Sequence, residues 1–210
     1  MLNRNESGNV NVLNEEALLK IVAHADPVPA GFIETVKLDL SRWASVEGWW
    51  PTLRAFLRKV LLQPGFQLVF SVRIQRLCRS VPVCGWAIGR ALWYFTTVWL
   101  GAEISADARV GPGAFFPHPN GIVIGSGAIL GKNVTIYQGV TLGRSEFGIP
   151  EYPVIGNFAT IYAGAKVFGA ITVGNGAVVG ANAVVLKDVP PSHLAIGIPA
   201  QTQPLNTNLP

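Results

Sequence analysis

The stretch "ITVGNGAVVGANAVVLKDVPP", residues 171–191, decides the fold. Val173, Val179 and Val185 lie six positions apart, and a small residue comes four positions after each of the first two. Neither the helical period nor the alternating period of a strand produces this spacing. A triangular coil with six residues on each side does, because every sixth side chain then points inward.

The same spacing extends back to residue 101. The inward positions, called anchors below, fall in three registers: Ile104, Val110, Phe116 and Ile122; Ile124, Leu130, Ile136 and Leu142; and Ile155, Ile161, Val167, Val173, Val179 and Val185. They predict a parallel β-helix of hexapeptide repeats over residues 101–200, in which stacked coils bury a continuous ladder of side chains.

The first hundred residues follow a different pattern. Residues 1–13 are polar and predict a disordered tail. Residues 14–100 predict an α-helical region. Apolar residues at helical spacing, bounded by Pro and Gly, predict helices over 14–25, 31–43, 53–62 and 66–78. Residues 201–210 are predicted to form a C-terminal tail, and the predicted fold class is α+β.

The charge is unevenly distributed along the chain. The net charge is +4, yet residues 48–102 contain no Asp or Glu and seven basic residues. This segment suits an anionic partner, either a membrane surface or a lipid-linked glycan. The alternative is a solvated basic face on packed helices. Without a basic recognition motif, we expect no nucleic-acid binding.

The most apolar stretch, residues 81–102, has Arg90 near its middle, which favours a buried or surface-lying helix over a membrane span. The N-terminus has no apolar core of the kind found in signal peptides. Cys78 and Cys84 have neither zinc nor disulfide-framework spacing. We expect a cytoplasmic protein, with contact at the inner face of the membrane through the basic helices of residues 50–100 left open as an option.

The six-residue winding is interrupted twice. Two residues are added between Phe116 and Ile124, in "FFPHPNGIVIG", where His118 lies between two prolines. Seven are added between Leu142 and Ile155. A regular coil makes flat walls, so the extra residues must bulge outward, and bulging loops are where a solenoid can build a site.

Residues 101–200 resemble the catalytic domain of the serine O-acetyltransferases, a hexapeptide-repeat acyltransferase family. The stretches that carry the resemblance are "HPNGIVIG", "VTIYQGVTLG", "IYAGAKVFGAITVGNGAVVGANAVVLKDVPP" and "GIPA". The resemblance implies a left-handed parallel β-helix. It also implies direct transfer from acetyl-CoA, which lies in a groove between two subunits of a homotrimer.

The resemblance assigns roles to individual residues. His118 matches the histidine that deprotonates the acceptor hydroxyl, a task suited to an imidazole; alternatively it packs against Phe116. The Gly143 N–H is the candidate donor to the oxyanion. Coenzyme A is expected along Gly143, Ala163, Gly164, Ala165, Lys166 and Ala181. Lys166 either meets a phosphate or is a solvated surface lysine.

The acceptor side departs from the family pattern. Pro117 stands where the family has an aspartate, and Glu151 and Tyr152 stand where it has an Arg-His pair. A glutamate in place of an arginine reverses the charge offered to a carboxylate. We expect the acceptor to contact Pro117, Glu146, Glu151 and Tyr152. One of the two glutamates orients His118 or binds a sugar hydroxyl; alternatively both are solvated.

These departures favour a sugar or glycan hydroxyl in polysaccharide biosynthesis as the acceptor. Serine O-acetylation for cysteine biosynthesis and a non-catalytic β-helix scaffold are the alternatives. The shorter helical region and the C-terminal "QTQPLNTNLP", without the family's terminal isoleucine, suggest that the family's hexamer and sulfhydrylase contacts are missing. The three histidines lie far apart in sequence, so we expect no metal site.

Overall fold

The computed structural model describes residues 31–45, 48–79, 81, 84–145 and 152–205. The tail predicted over 1–13 and the helix predicted over 14–25 lie outside these residues. The described helices are α1 (Phe32–Ser41), α2 (Trp49–Leu62), α3 (Pro64–Cys78) and α4 (Cys84–Trp99). Helices α1, α2 and α3 correspond to those predicted over 31–43, 53–62 and 66–78, but α2 begins four residues earlier, and α4 lies within the apolar stretch 81–102. None of the four is long and apolar enough to cross a bilayer.

Helix α3 is the centre of the helical region. It begins with Pro64, whose fixed backbone angle and missing N–H suit the first helical position. Much of its length is buried, and α1, α2 and α4 all pack against it. The apolar residues at helical spacing therefore pack around one central helix, α3.

The strands that follow are short and belong to a β-helix. They are β1 (Glu103–Ile104), β2 (Arg109–Val110), β3 (Val123–Ile124), β4 (Ile129–Leu130), β5 (Thr135–Ile136), β6 (Thr141–Gly143), β7 (Val154–Ile155), β8 (Thr160–Ile161), β9 (Lys166–Phe168), β10 (Thr172–Val173), β11 (Val178–Val179), β12 (Val184–Val185), β13 (His193–Gly197) and β14 (Ala200–Pro204).

The strands form three faces of a left-handed prism, and all neighbours pair in parallel except β13 and β14. Face A consists of β1, β3, β6, β9 and β12; face B of β2, β4, β7 and β10; face C of β5, β8, β11, β13 and β14. The chain visits them in the order A, B, C. Anchors stack from coil to coil, as Ile104 on Ile124 and Ile124 on Leu142. The predicted fold is confirmed.

The structure corrects the first register of anchors. Ile122 is buried, but it lies two positions before the anchor Ile124, which is the residue that pairs with Ile104. The register therefore ends at Phe116. Both added residues lie in the corner between face C and face A, because the chain needs extra length there to form the bulge that carries His118.

The C-terminal tail predicted over 201–210 is also corrected. Residues 201–204 belong to β14, which pairs antiparallel with β13. A strand that folds back in this way covers the open edge of face C, which otherwise would expose unpaired backbone groups.

The helical region and the β-helix share one core. Leu68, Val69 and Val72 of α3 belong to the same buried cluster as the anchors. A buried ion pair strengthens this joint: Arg73 Nε and Nη2 donate to the two carboxylate oxygens of Asp39 at 2.9 and 3.0 Å. The same guanidinium donates to the carbonyls of Val110 and Gly111 in the first coil.

Candidate active site

His118 lies in the bulge between face C and β3, and its side chain is exposed. Phe116, two residues earlier, points into the core instead. Hydrogen bonds hold the base of the bulge: the Gly121 N–H donates to Gly101 O at 2.7 Å, and the Gly139 N–H to Asn120 O at 2.9 Å. The imidazole therefore projects outward from a fixed backbone.

The helical region supports this bulge from behind. The ring of Trp43 packs on that of Phe115 with centroids 4.5 Å apart. The first turn of α3 comes so close that a Cβ on Gly65 would overlap the carbonyl oxygen of Phe116. Residues far away in sequence thus fix the backbone that precedes His118.

Two tyrosines that the sequence analysis did not single out lie beside His118. The ring centroids of His118 and Tyr137 are 6.5 Å apart, and Tyr137 stacks on Tyr162 at 5.1 Å. Each tyrosine directly follows an anchor of face C, Ile136 or Ile161, and Pro117 follows Phe116 in the same way. An alignment of the hexads by their anchors would have found this column.

Within the described residues, no group hydrogen-bonds to the His118 ring. A histidine that acts as a base needs one ring nitrogen for the substrate and a partner that fixes the other. The described part of one chain supplies the imidazole without that partner.

Several residues predicted to bind coenzyme A lie near His118 along one edge of the prism. We call this edge, formed by residues 117–121, 137–139, 162–164 and 180–182, the histidine corner. It contains Ala163, Gly164 and the exposed Ala181. Backbone hydrogen bonds join its coils, as from the Gly164 N–H to Gln138 O at 2.8 Å. Small side chains leave room there for an extended ligand.

Ala165 was predicted to bind coenzyme A as well, and the structure corrects this. Its methyl group points into the core. Its N–H donates to Tyr162 O, and its carbonyl accepts from the Thr141 N–H. Because both backbone groups are paired within the β-helix and the side chain is buried, Ala165 shapes the coil and does not offer a contact.

Lys166 lies on the outer side of face A, next to the histidine corner. Its Nζ donates to Gly139 O at 2.5 Å and to Thr141 Oγ1 at 3.1 Å. Both acceptors are neutral, so they orient the ammonium group without cancelling its charge. The phosphate contact predicted for Lys166 stays a prediction.

Gly143 and Tyr152 lie on the other edge of face A, where the chain passes to face B; we call residues 125–128, 144–145 and 152–153 the loop corner. Gly143 ends β6 and pairs with Phe168. The ring of Tyr152 packs so closely on Gly125 that a Cβ there would overlap it, and its hydroxyl lies 3.1 Å from Ser126 Oγ. Tyr152 is thus held against a neighbouring coil.

Glu146 and Glu151 lie outside the described residues. Arg144, which the sequence analysis did not select, directly follows Gly143 and is half-buried. It is the only basic residue between Leu142 and Ile155. A search of this loop for a positive charge would have found it.

The predicted site residues therefore separate into two sets. His118 precedes a strand of face A, whereas Gly143, Arg144 and Tyr152 follow or end the next strand of that face. Within one chain, the strands of face A separate the histidine corner from the loop corner. The structure does not bring the two sets together in a single chain.

Other candidate sites are less suitable. Among the described residues, no group of three His, Cys, Asp or Glu side chains could hold a metal ion. A groove of about 1010 Å³ lies between α1, α2 and α3, lined mainly by apolar side chains. None of the predicted site residues that the structure describes lines this groove.

Comparisons with known proteins identify relatives. No protein-family model matches the chain. A serine acetyltransferase of Mycobacterium tuberculosis is 39% identical over 157 residues, which are 72% of this chain and 66% of the relative. A serine acetyltransferase of Helicobacter pylori is 39% identical over 153 residues, covering 72% of this chain and 88% of the relative.

Solved structures agree with these relatives. Soybean serine acetyltransferase complexed with serine superimposes with a TM-score of 0.70 at 33% identity, over 82% of this chain and 69% of that one. Serine acetyltransferase from Brucella abortus in complex with coenzyme A gives 0.70 at 25% identity, over 89% and 70%. The predicted family and the predicted enzyme class, an acyltransferase, are confirmed. The chain belongs to the serine acetyltransferase family of hexapeptide-repeat acyltransferases.

Proposed function

We propose that the protein transfers an acetyl group from acetyl-CoA to the hydroxyl of L-serine, with His118 as general base. One observation carries this proposal. The exposed imidazole of His118 lies on a bulge that the helical region holds in place, at one end of the histidine corner with its small residues Ala163, Gly164 and Ala181. Such a corner suits an extended thioester, and the bulge places a proton acceptor at its end.

Serine was the alternative acceptor in the sequence analysis, and a glycan was the leading one. The relatives are named serine acetyltransferases, and one solved neighbour is complexed with serine. These findings favour serine over a polysaccharide.

The proposed reaction is a direct transfer. A ring nitrogen of His118 takes the proton from the acceptor hydroxyl as its oxygen attacks the thioester carbonyl carbon. The C–S bond then breaks, and the imidazolium returns the proton to the departing thiolate. General-base help of this kind contributes about 10²–10⁴-fold.

The donor fits the histidine corner. Ala163, Gly164 and Ala181 leave space for the pantetheine arm, and the charge of Lys166 suits a phosphate. The solved neighbour with bound coenzyme A supports acetyl-CoA as the cosubstrate.

Arg144 is the residue that we propose to hold the serine carboxylate. Pro117, Glu151 and Tyr152 cannot offer it a positive charge, and Arg144 provides the planar pair of donors that a carboxylate prefers. It belongs to the loop corner, so it meets His118 only if the loop corner of one chain faces the histidine corner of another. A homotrimer with a site at each interface satisfies this requirement.

A glycan remains the second candidate because of one observation. The stacked rings of Tyr137 and Tyr162 lie beside His118, and Tyr162 is exposed. Aromatic faces of this kind suit the apolar face of a sugar ring.

The test is thiol release from acetyl-CoA with L-serine and, separately, with glucose, galactose and N-acetylglucosamine. We expect saturable turnover with serine, reduced about 10²–10⁴-fold in His118→Asn. The matched control is His193→Asn, because the His193 ring lies 2.8 Å from Pro191 O at the far end of the β-helix. Turnover with a hexose alone would transfer the proposal to the glycan. Failure to bind acetyl-CoA at all would favour the scaffold.

A further inference from the structure

Helix α4 exposes apolar side chains over much of its circumference. Only Gly85 and Thr96 of this helix are buried. The large apolar side chains that are exposed are Trp86 (76%), Ile88 (50%), Tyr94 (61%), Phe95 (39%), Val98 (56%) and Trp99 (77%). We call these six residues the α4 face. Single exposed apolar residues are common, but six on one helix mark an interaction surface.

The charge around the α4 face is mainly positive, with Glu103 and Asp107 in the coil that follows the helix. Its helix carries Arg90 as the only charged residue, and this guanidinium lies 4.3 Å from the ring centroid of Trp93. At the end of α3, which packs against α4, Arg76 and Arg79 are exposed. Asp107 pairs with Arg79, and residues 48–102 contain no acidic residue. The surroundings therefore favour an anionic partner.

We propose that the α4 face binds the surface of an anionic lipid bilayer, with the helix parallel to the membrane. The helix has 16 residues, so it is about 24 Å long, shorter than the roughly 30 Å hydrocarbon core. A helix with an apolar face, aromatic residues and basic neighbours lies in the membrane interface. This proposal does not depend on the acceptor or on the activity of His118.

A two-fold symmetric contact with a second copy of the chain suits the α4 face less well. In a two-fold symmetric contact the same patch lies on both sides. Arg90 and its basic neighbours would then face their own copies, and α4 offers no carboxylate to pair with them. Like charges across an interface oppose association.

The test uses the full chain and two kinds of vesicle. One contains 70% phosphatidylcholine and 30% phosphatidylglycerol, and the other contains phosphatidylcholine alone. We expect the protein to sediment with the anionic vesicles and to be released by 1 M salt. The Trp86→Ser/Trp99→Ser variant should bind the anionic vesicles at least about tenfold more weakly, because two large apolar groups no longer enter the interface. Arg90→Gln should weaken binding about fivefold.

The matched control is Phe158→Ser/Ile198→Ser, which removes two exposed apolar side chains from the β-helix. It should bind the vesicles like the unchanged protein. Circular dichroism spectra and urea unfolding midpoints equal to those of the unchanged protein establish that each variant is folded.

Three results would overturn the proposal. The first is equal binding by the double-tryptophan variant and the unchanged protein. The second is equal binding to both kinds of vesicle without an effect of salt. The third is no vesicle binding, together with a smaller molar mass of the double-tryptophan variant in light scattering, which would assign the α4 face to a second copy.

Discussion

Replacing Arg73 by Met tests how strongly the helical region is joined to the β-helix. The Arg73 side chain is 5% exposed and that of Asp39 is 1% exposed. The substitution leaves Asp39 as a buried carboxylate that still accepts from the Gly113 N–H at 2.8 Å but has lost both bonds from the guanidinium. Breaking a buried pair on one side costs about 3–5 kcal/mol, because the remaining charge is not compensated.

The assay is urea unfolding followed by circular dichroism. We expect Arg73→Met to lower the free energy of unfolding by about 3–5 kcal/mol. The Asp39→Leu/Arg73→Met variant should lose less than Arg73→Met alone, because no buried charge remains. The matched control is Arg79→Met, which breaks the exposed pair with Asp107 and should cost at most about 1 kcal/mol.

The pH dependence gives a second measurement of the same effect. Burial raises the pKa of Asp39 above its ordinary value, although hydrogen bonding and the charge of Arg73 act in the opposite direction. Without Arg73 the pKa rises further, so the folded state binds a proton more tightly than the unfolded chain does. The difference in the free energy of unfolding between the unchanged protein and Arg73→Met should therefore be largest at neutral pH. It should become smaller as the pH falls through the raised pKa of Asp39. A deficit below about 1 kcal/mol that does not change with pH would refute the reasoning.

Three further predictions concern the site. Lys166→Met should raise the KM for acetyl-CoA roughly tenfold, because it removes the charged hydrogen bond to the phosphate. The KM for serine should stay unchanged. An unchanged KM for acetyl-CoA would contradict the phosphate contact. Gly65→Ala should lower kcat about 10²-fold by displacing the bulge that carries His118. Gly31→Ala is the control, because its Cβ meets nothing within 4 Å. Equal kcat values for the two variants would show that the contact of α3 with Phe116 does not position His118. Tyr152→Phe should cost about 1 kcal/mol in urea unfolding, and a raised serine KM instead would make Tyr152 an acceptor ligand.

The β-helix could be predicted because its rule is local. An anchor such as Val173 must point inward in every coil, so the period alone determines which residues share a face. The same rule predicted the bulge at His118, since added length in a regular coil has to leave the wall. The register error at Ile122 arose because a buried aliphatic residue two positions before an anchor resembles an anchor in sequence.

The packing between distant segments could not be predicted in this way. The approach of Gly65 to the Phe116 carbonyl depends on how a helix docks on a coil, which no periodicity describes. Ala165 was misassigned because its motif predicts only that this segment lies near coenzyme A. Whether its methyl group points into the core or outward depends on its position in the coil. The separation of His118 from Arg144 across face A follows only from the order of the three faces.

The core shared by Leu68, Val69, Val72 and the anchors has a practical consequence. The change of period near residue 101 suggests a domain boundary. A fragment that starts there would expose the apolar surface of the first coils that α3 covers, and it would lose the helical packing behind the bulge of His118. Anyone who grafts this catalytic prism onto another protein must carry α3 with it.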